Sequence, residues 1–466
     1  MELLSVELID TIATYLGTQD KGRLGRLNRR YYQVTRRRLF QTVTITSPRQ
    51  YQNFIQYLPI FEEKQYVGYV RKLDLSSYSV RGSGWTEQQA KQIVVATELA
   101  HLITVCHYLQ QLVIGDELMH VFVEPGVMRA IFTTDHPFLQ VIDFTGFCDQ
   151  KITQVMADLF QQQEKEKEKK EKGQELTLMI KKDDDEEEED MKVHQWKMPP
   201  KLTQLSFHHC MALSPKLFFQ PFFERLAMNG NTITRLDLAY TPITNQIFTY
   251  INSSTLTHLN LQGCRGIYCC YQDNNDMMAF LSECIHLVEL NLNLQFNGIP
   301  MGNQFCHGCL KRFLMQDVKK MKNLRVLDLG GQANLTDDIL LNMYDGLTRQ
   351  LQYFSVGYNR CISMEMILIL LTRMKQLEYL NVTRCNNISI TKLLLYLNHH
   401  HHNIQVIEID NHHHHKNIND WYFIQHGRRG YYARKGIDPR FKYSQKLLLL
   451  DEQPQSPMMK YWSFSY

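Results

Sequence analysis

Short segments in which apolar and polar residues alternate recur along most of the chain. Eleven such segments begin at residues 72, 111, 141, 204, 235, 258, 289, 326, 353, 379 and 406. Alternation with a period of two predicts short strands, and the apolar residues at helical spacing that follow most of them predict helices. We therefore expect an α/β repeat array with one strand in each repeat.

The spacing of these strands is typical of one class of repeat. From residue 235 onward, the first core residues of successive strands lie 23, 31, 37, 27, 26 and 27 residues apart. A period of 20–29 residues, with an L-x-L strand and an Asn or Cys shortly after it, is the signature of leucine-rich repeats. The sequence therefore predicts a leucine-rich-repeat solenoid, or horseshoe, over residues 71–410.

Two segments depart from the repeat pattern. Residues 161–198 contain the charged runs QQQEKEKEKKEKGQ and DDDEEEED, which bury too little apolar surface to offset the entropy of ordering them. We interpret them as a solvated insertion. Residues 411–466 are interpreted as a C-terminal cap or tail, partly disordered, with aromatic residues that pack on the last repeat.

The first twenty residues predict a helix with an unusually wide apolar face. Ser5 is a suitable N-cap, and the apolar residues from Leu4 to Leu16 cover an arc of roughly 200° at about 100° per residue. A helix that packs on a single core normally shows a stripe nearer 100° wide. A second helical stretch is predicted at roughly 20–36, and a connecting helix at 49–58. The extra apolar surface indicates that the first helix has a second partner.

The N-terminal unit resembles the F-box family. LSVELIDTIATYL follows the family pattern Leu-Pro-x-Glu-Leu-x-x-x-Ile-x-x-x-Leu, RLNRRYYQV is similar to its second helix, and RRRLFQTVTI is similar to its closing segment. Ser5 stands where the family has proline, and Tyr31 and Phe40 stand where it has tryptophan. On this basis we assign residues 1–46 to a small helical F-box and residues 47–70 to a connecting helix.

The resemblance implies a substrate-recognition subunit of an SCF-type cullin–RING ubiquitin ligase. In that family the F-box binds a Skp-type adaptor, which links it to the cullin and RING subunits, and the repeats bind the substrate protein. The receptor itself is not an enzyme, because it acts by holding the substrate close to the reacting groups. The residues that the resemblance assigns to adaptor binding are Leu4, Ser5, Glu7, Leu8, Ile12 and Leu16.

Strand geometry also suggests where a substrate would bind. Because side chains alternate along a strand, the residues that flank the L-x-L leucines are expected on the open concave surface. We predict that this surface binds a basic or hydrogen-bonding peptide; the alternative is that polar residues there only keep the strands soluble. The candidate substrate-binding residues are Asp237, Asn260, Asn291, Asp328, Tyr353, Tyr379 and Asn381.

Composition narrows the classes of protein that remain. The net charge of +3 gives no nucleic-acid signal by itself. There is no apolar run long enough to span a membrane. The first residues do not show a basic segment followed by a cleavable apolar stretch, so we do not expect secretion. The eleven scattered cysteines do not form a disulfide pattern. We expect a cytoplasmic or nuclear protein with no membrane partner. No catalytic motif is present, and no catalytic residue is predicted.

The cysteine and histidine patterns do not predict a metal site. Cys210, Cys264 and Cys385 follow their strands at one fixed offset and are expected as buried turn residues. CHGC, at 306–309, is a single C-x-x-C pair without a second pair at zinc-finger spacing, so a zinc or redox role for it is only the less favoured alternative. The tetra-histidine tracts at 399–402 and 412–415 are interpreted as low-complexity expansions. No metal and no cofactor are therefore predicted.

Two alternative functions remain open. The first is a leucine-rich-repeat scaffold that binds partners without recruiting a ligase. The second is a nucleic-acid-binding repeat protein, which we do not expect. It is suggested by the basic stretch from Lys21 to Arg38 and by the tail, where basic residues alternate with tyrosine and phenylalanine.

Overall fold

The computed structural model describes residues 4–80, 86–160, 198–230, 232–270, 277–296, 299–300, 305–400, 403–410, 417–426, 429–435 and 437. Most of the charged insertion, the second tetra-histidine tract and the end of the tail lie outside these residues. The chain divides into two compact units. The first comprises Met1–Leu202 and Lys216–Asn231, and the second comprises Thr203–Pro215 and Thr232–Tyr466.

The first unit begins with three helices, α1 (Val6–Tyr15), α2 (Thr18–Gly25) and α3 (Arg29–Gln41). As predicted, Ser5 caps α1, and its Oγ accepts a hydrogen bond from the Leu8 N–H at 3.3 Å. The single helix predicted at roughly 20–36 is wrong, because Asn28 takes an extended conformation and caps α3 by accepting from the Tyr31 N–H at 2.9 Å.

The strands of the first unit form a parallel sheet. After β1 (Thr42–Thr44) come α4 (Pro48–Glu63), a 3-10 turn (Tyr66–Tyr69) and β2 (Lys72–Asp74). α4 therefore extends beyond the helix predicted at 49–58. β1 pairs directly with β2, so the segment that closes the F-box-like region is also the first strand of the sheet.

The rest of the first unit repeats the alternation of strands and helices. β2 pairs with β3, and β3 pairs with β4. The elements are α5 (Glu87–Ile93), α6 (Ala96–Val105), β3 (Gln111–Val113), a 3-10 helix (Asp116–Val123), α7 (Pro125–Phe132), β4 (Val141–Asp143), a helix α8 over 150–160, and α9 (Gln220–Met228), which follows a π turn (Pro215–Phe219).

The second unit is a longer parallel sheet built from the same type of repeat. Its strands are β5 (Gln204–Ser206), β6 (Arg235–Asp237), β7 (His258–Asn260), β8 (Glu289–Asn291), β11 (Val326–Asp328), β12 (Tyr353–Ser355), β13 (Tyr379–Asn381) and β14 (Val406–Asp410), paired in that order. The short strands β9 (Gln295–Phe296) and β10 (Ile299–Pro300) pair with each other.

Helices and 3-10 turns connect these strands. They are 3-10 turns at Asn245–Tyr250, Ser253–Thr255 and Asp317–Lys320, and the helices α10 (Met277–Glu283), α11 (His307–Met315), α12 (Asp337–Leu341), α13 (Asp345–Gln350), α14 (Met364–Arg373) and α15 (Ile390–His399). The parallel array ends in an antiparallel hairpin, β15 (Trp421–His426) and β16 (Arg429–Arg434), in which β16 pairs with β14. Tyr431 and Ala433 of β16 lie in one buried cluster with Tyr379 of β13 and Val406 of β14.

All eleven strands predicted from the sequence are present. The second residue of each is at most 1% exposed; Leu236, Leu259 and Leu290, for example, have no exposed surface. Both units are α/β solenoids, which confirms the predicted fold class.

A recurrent turn follows the strands. The last residue of the strand is usually Asp or Asn, and its Oδ1 accepts a hydrogen bond from the N–H two residues later, as in Asn260 with Gln262 at 3.1 Å and Asp328 with Gly330 at 2.9 Å. Three residues after the strand, the backbone enters the left-handed region, with φ of +57° at Tyr240 and +67° at Gly263. The polar residue at the end of the strand thus fixes the turn that leads into the rest of the repeat.

Candidate functional site

The wide apolar face of α1 divides into two flanks. Ile9 and Ala13 are buried in the first unit, whereas Leu8 and Ile12 keep 52% and 42% of their surface exposed. Of the remaining predicted adaptor-binding residues, Ser5 and Glu7 are exposed, and Leu4 and Leu16 are half-buried. The structure therefore leaves all six accessible along one helix.

Further apolar side chains on α1 enlarge the accessible surface. Val6 is 46% exposed and Tyr15 is 86% exposed. Neither was among the residues predicted for adaptor binding. We refer to Val6, Leu8, Ile12 and Tyr15 together as the exposed flank of α1. Side chains of this size that stay in contact with water mark a surface that can be buried by a partner.

Polar contacts fix α1 against α3. Arg38 donates two hydrogen bonds to Asp10, from Nε at 2.8 Å and from Nη2 at 2.6 Å. These bonds hold the pKa of Asp10 below its usual value. Arg30 donates from Nη2 to the Leu4 carbonyl at 2.8 Å. The helix that carries the exposed flank is therefore held in a defined orientation.

Several of the basic residues that suggested nucleic-acid binding are used inside the first unit. Besides Arg30 and Arg38, Arg23 pairs with Asp20 at 2.9 Å, and the guanidinium of Arg36 lies 5.7 Å from the centre of the Tyr66 ring. These contacts give the basic residues a structural role in the first unit.

The seven predicted substrate-binding residues are not on an open surface. All of them are buried, with exposed fractions between 0% for Asp237 and 6% for Asp328, and the expectation of an accessible concave face is wrong for this set. Period-two alternation correctly gave the face of the strand, but it does not determine whether that face is solvated. The residues concerned are Asp237, Asn260, Asn291, Asp328, Tyr353, Tyr379 and Asn381.

Some of these buried residues contact one another across neighbouring strands. Tyr353 and Tyr379 stack with their ring centroids 4.8 Å apart. Their hydroxyls donate to Asp328 at 3.3 Å and to Glu408 at 3.0 Å, respectively. Burial raises the pKa of Asp328 and of Glu408. Three of the seven predicted residues, Asp328, Tyr353 and Tyr379, therefore belong to a buried network that joins neighbouring strands.

Six of the eleven cysteines form two contrasting groups in the structure. Cys264 and Cys385 are buried turn residues, as predicted, and each donates its S–H to a carbonyl of the preceding repeat, at 2.9 Å to Leu238 and 3.2 Å to Val356. Burial raises the pKa of both thiols to about 12. These two cysteines are inert parts of the core.

The second group brings the C-x-x-C pair together with two cysteines that the sequence left unpaired. Cys269 and Cys270 approach Cys306 and Cys309, and the four Sγ atoms all lie within 4.8 Å of one another. A hydrogen bond from the Cys309 N–H lowers the pKa of Cys306 to about 7. The available signal was the CC dipeptide one repeat before CHGC, because adjacent repeats place equivalent loops side by side.

Comparisons with known proteins add a structural likeness but no family. No family model matches the chain, and no curated protein matches it in sequence. Among solved structures, the yeast Rad7–Elc1 complex aligns with a TM-score of 0.42 and 13% identity over 83% of this chain and 89% of that chain.

Two further solved structures align less closely. An internalin (InlF) of Listeria monocytogenes has a TM-score of 0.30 and 9% identity over 69% of this chain and 70% of that chain. The TLR13–ssRNA13 complex has a TM-score of 0.26 and 13% identity over 67% of this chain and 43% of that chain.

The strand pairing and the repeated turn define the class of the protein. Parallel strands with a buried apolar residue at their second position, most of them followed by an Asx-type turn and then by a helix or 3-10 turn, make it an α/β repeat protein of the leucine-rich-repeat type. Among the described residues, no helix is both long and apolar enough to cross a bilayer.

Proposed function

We propose that this protein is the substrate-recognition subunit of an SCF-type ubiquitin ligase. Its N-terminal helices would bind a Skp-type adaptor and, through it, the cullin and RING subunits, while the repeats bind a protein substrate. In this proposal the chain contributes no catalytic group, and it acts in the cytoplasm, the nucleus or both. Ubiquitin transfer on the other subunits is favoured because the substrate is held nearby.

One observation carries the proposal. α1 is the helix that matches the F-box pattern. Its exposed flank remains in contact with solvent, while Ile9 and Ala13 are buried in the core of the first unit. Burial of a side chain such as leucine or isoleucine contributes about 1.5–3 kcal/mol. Leu8 and Ile12 together could therefore supply a large part of the affinity for an apolar groove on the adaptor.

Adaptor capture by the full chain tests the proposal. We expect wild-type protein to co-purify with a Skp-type adaptor. Leu8→Asp and Ile12→Asp should each weaken binding at least tenfold, because each buries a charge at the interface. Both positions are exposed in the free chain, so these variants should fold as the wild type does. Titration of labelled adaptor against each variant measures the effect.

Two positions in the second unit provide matched controls. Leu341 is 53% exposed on α12 and Ile369 is 42% exposed on α14, which equals the exposure of Leu8 and Ile12 within one percentage point. Leu341→Asp and Ile369→Asp should leave adaptor binding unchanged. Equal loss of binding in both pairs of variants would count against a specific role for α1.

The scaffold alternative makes the opposite prediction in the same assay. A repeat scaffold that works without a ligase would bind its partner protein but would not bind the adaptor under conditions in which an established F-box protein does. That outcome would reject the proposal.

A further inference from the structure

Four thiols meet in the second unit, in loops of two successive repeats. Cys270 Sγ lies 3.2 Å from Cys269 Sγ, 3.5 Å from Cys306 Sγ and 3.3 Å from Cys309 Sγ. Four thiolates that bind Zn²⁺ tetrahedrally at about 2.3 Å are about 3.8 Å apart. The sulfur atoms are therefore already close to the arrangement that a single zinc ion requires.

Side-chain amides hold both cysteine segments in place. Asn245 exchanges two hydrogen bonds with the backbone of Tyr268, each of 2.8 Å, directly before Cys269. Asn334 donates to the carbonyl of Phe305 at 2.9 Å, directly before Cys306. Phe305 itself is fully buried. The two segments are thus fixed by neighbouring repeats independently of any bond between the sulfurs.

Backbone N–H groups also point at the sulfurs. The Cys306 N–H donates to Cys269 Sγ at 3.1 Å, and the Cys309 N–H donates to Cys306 Sγ at 3.4 Å. Cys306 is the N-cap of α11, where the helix dipole favours negative charge. Such bonds stabilise thiolates in a metal site and orient them toward the ion.

The cluster lies in two consecutive repeats that are longer than the repeats that follow them. The repeats that start at β7 and β8 are 31 and 37 residues long, whereas the next three are 27, 26 and 27 residues long. The first of these long repeats supplies Cys269 and Cys270, and the second supplies Cys306 and Cys309. Among the described residues, no other group of three or more possible ligands comes together.

We propose that Cys269, Cys270, Cys306 and Cys309 form a structural zinc site that ties the extended loops of these two repeats together. On binding, each of the four thiols gives up its proton to solvent and bonds to Zn²⁺ through sulfur. All four positions of the tetrahedron are then filled by protein, which is the arrangement of structural rather than catalytic zinc. The ion would join the two cysteine segments directly, whereas the hydrogen bonds of Asn245 and Asn334 tie each segment only to a neighbouring repeat.

Metal analysis of untagged full-length protein, purified under reducing conditions in the presence of zinc, tests the proposal. We expect one equivalent of zinc per chain by mass spectrometry. Loss of at least nine tenths of it is expected in the double variant Cys306→Ser/Cys309→Ser. Cys361→Ser is the matched control, because Cys361 is an exposed cysteine outside the cluster; it should retain the full equivalent.

Cobalt substitution of the wild-type protein identifies the ligands without relying on a variant. Tetrahedral thiolate ligation gives sulfur-to-cobalt charge-transfer absorption, whereas cobalt held only by the histidine tracts does not. Alkylation of the denatured, unreduced protein then counts free thiols. A wild type without zinc, a stoichiometric metal other than zinc, full retention in the double variant, or thiols protected as disulfides would each overturn the proposal.

Discussion

Arg38 and Asp10 form an ion pair that joins two helices of the N-terminal unit. The two residues are 28 positions apart in the chain, and they join α3 to α1 through two hydrogen bonds. Their side chains are 31% and 36% exposed. Bidentate geometry makes this pair stronger than an ordinary surface pair, although solvent screens part of it.

Asp10→Asn should lower the free energy of unfolding by about 0.5–1 kcal/mol at neutral pH. Because the pKa of Asp10 is lowered in the folded state, its contribution is present above the unfolded pKa of about 3.9. It is lost as the pH falls through the folded pKa. Urea unfolding at a series of pH values should therefore show wild type and variant converging in acid. Asp20→Asn, which removes the more exposed pair with Arg23, should have a smaller effect at any pH.

At the scale of the element, the turn after each strand restricts the residue type at its left-handed position, three residues after the strand. The same position enters the left-handed region in successive repeats, and it is glycine at Gly263 but tyrosine at Tyr240. A Cβ on Gly263 would lie directly against the ring of Tyr240. The conformation favours glycine at this position, and close packing against Tyr240 requires it.

Gly263→Ala should destabilise the protein by about 2–4 kcal/mol, from left-handed strain of about 1–2 kcal/mol and overpacking of at least about 1 kcal/mol. Gly230 provides the control, because its φ is also +67° but nothing lies within 4 Å of its Cβ position. Gly230→Ala should cost only the strain. Denaturant unfolding of the two variants separates the contribution of overpacking from that of left-handed strain. Equal losses of unfolding free energy would show that the contact with Tyr240 is relieved by repacking.

At the scale of the whole molecule, the carboxyl end of the second unit differs from its middle in the direction of strand pairing. The interior strands pair in parallel, but β16 closes the array from the opposite direction. Arg429 on β16 binds Glu408 on β14 at 3.0 Å, and Glu408 is 3% exposed. Burial raises the pKa of Glu408, and the positive charge of Arg429 opposes that rise.

Arg429→Met should destabilise the protein by about 3–5 kcal/mol, because it leaves the buried carboxylate of Glu408 without its counter-charge. Without Arg429 the pKa of Glu408 rises further, so the loss should be smaller in acid, where the carboxyl is neutral, and larger as the pH increases. The double variant Arg429→Met/Glu408→Gln should recover much of the stability. Thermal unfolding of the three proteins measures this coupling, and an unchanged Arg429→Met protein would mean that water already solvates Glu408.

The positions of the strands could be predicted from the sequence, because each strand repeats the same local pattern. In that pattern one apolar residue, such as Leu236, must be buried. It was insufficient where the answer depends on residues from other repeats. Asp237 and Tyr379 lie on the predicted face, but their burial depends on hydrogen bonds and stacking with neighbouring strands. The link between Cys270 and Cys306 crosses 36 residues, and no local periodicity reports such a distance.

The exposed flank of α1 could not be identified from helical periodicity alone. Ile9 and Ala13 could be separated from Leu8 and Ile12 only once α3 was in place, since helical periodicity gives the angle of each side chain but not which side meets the core. The residues assigned by resemblance to the F-box are accessible, which leaves adaptor binding as the question that the capture assay answers.

The antiparallel strand β16 also constrains how this gene could have grown. A duplicated unit added between two interior strands finds parallel neighbours on both sides and can join the array without altering them. The same unit added after β14 would have to displace β16 and, with it, the contact between Arg429 and Glu408. A further repeat is therefore compatible with the interior of the array but not with its carboxyl end, where β16 already occupies the edge of β14.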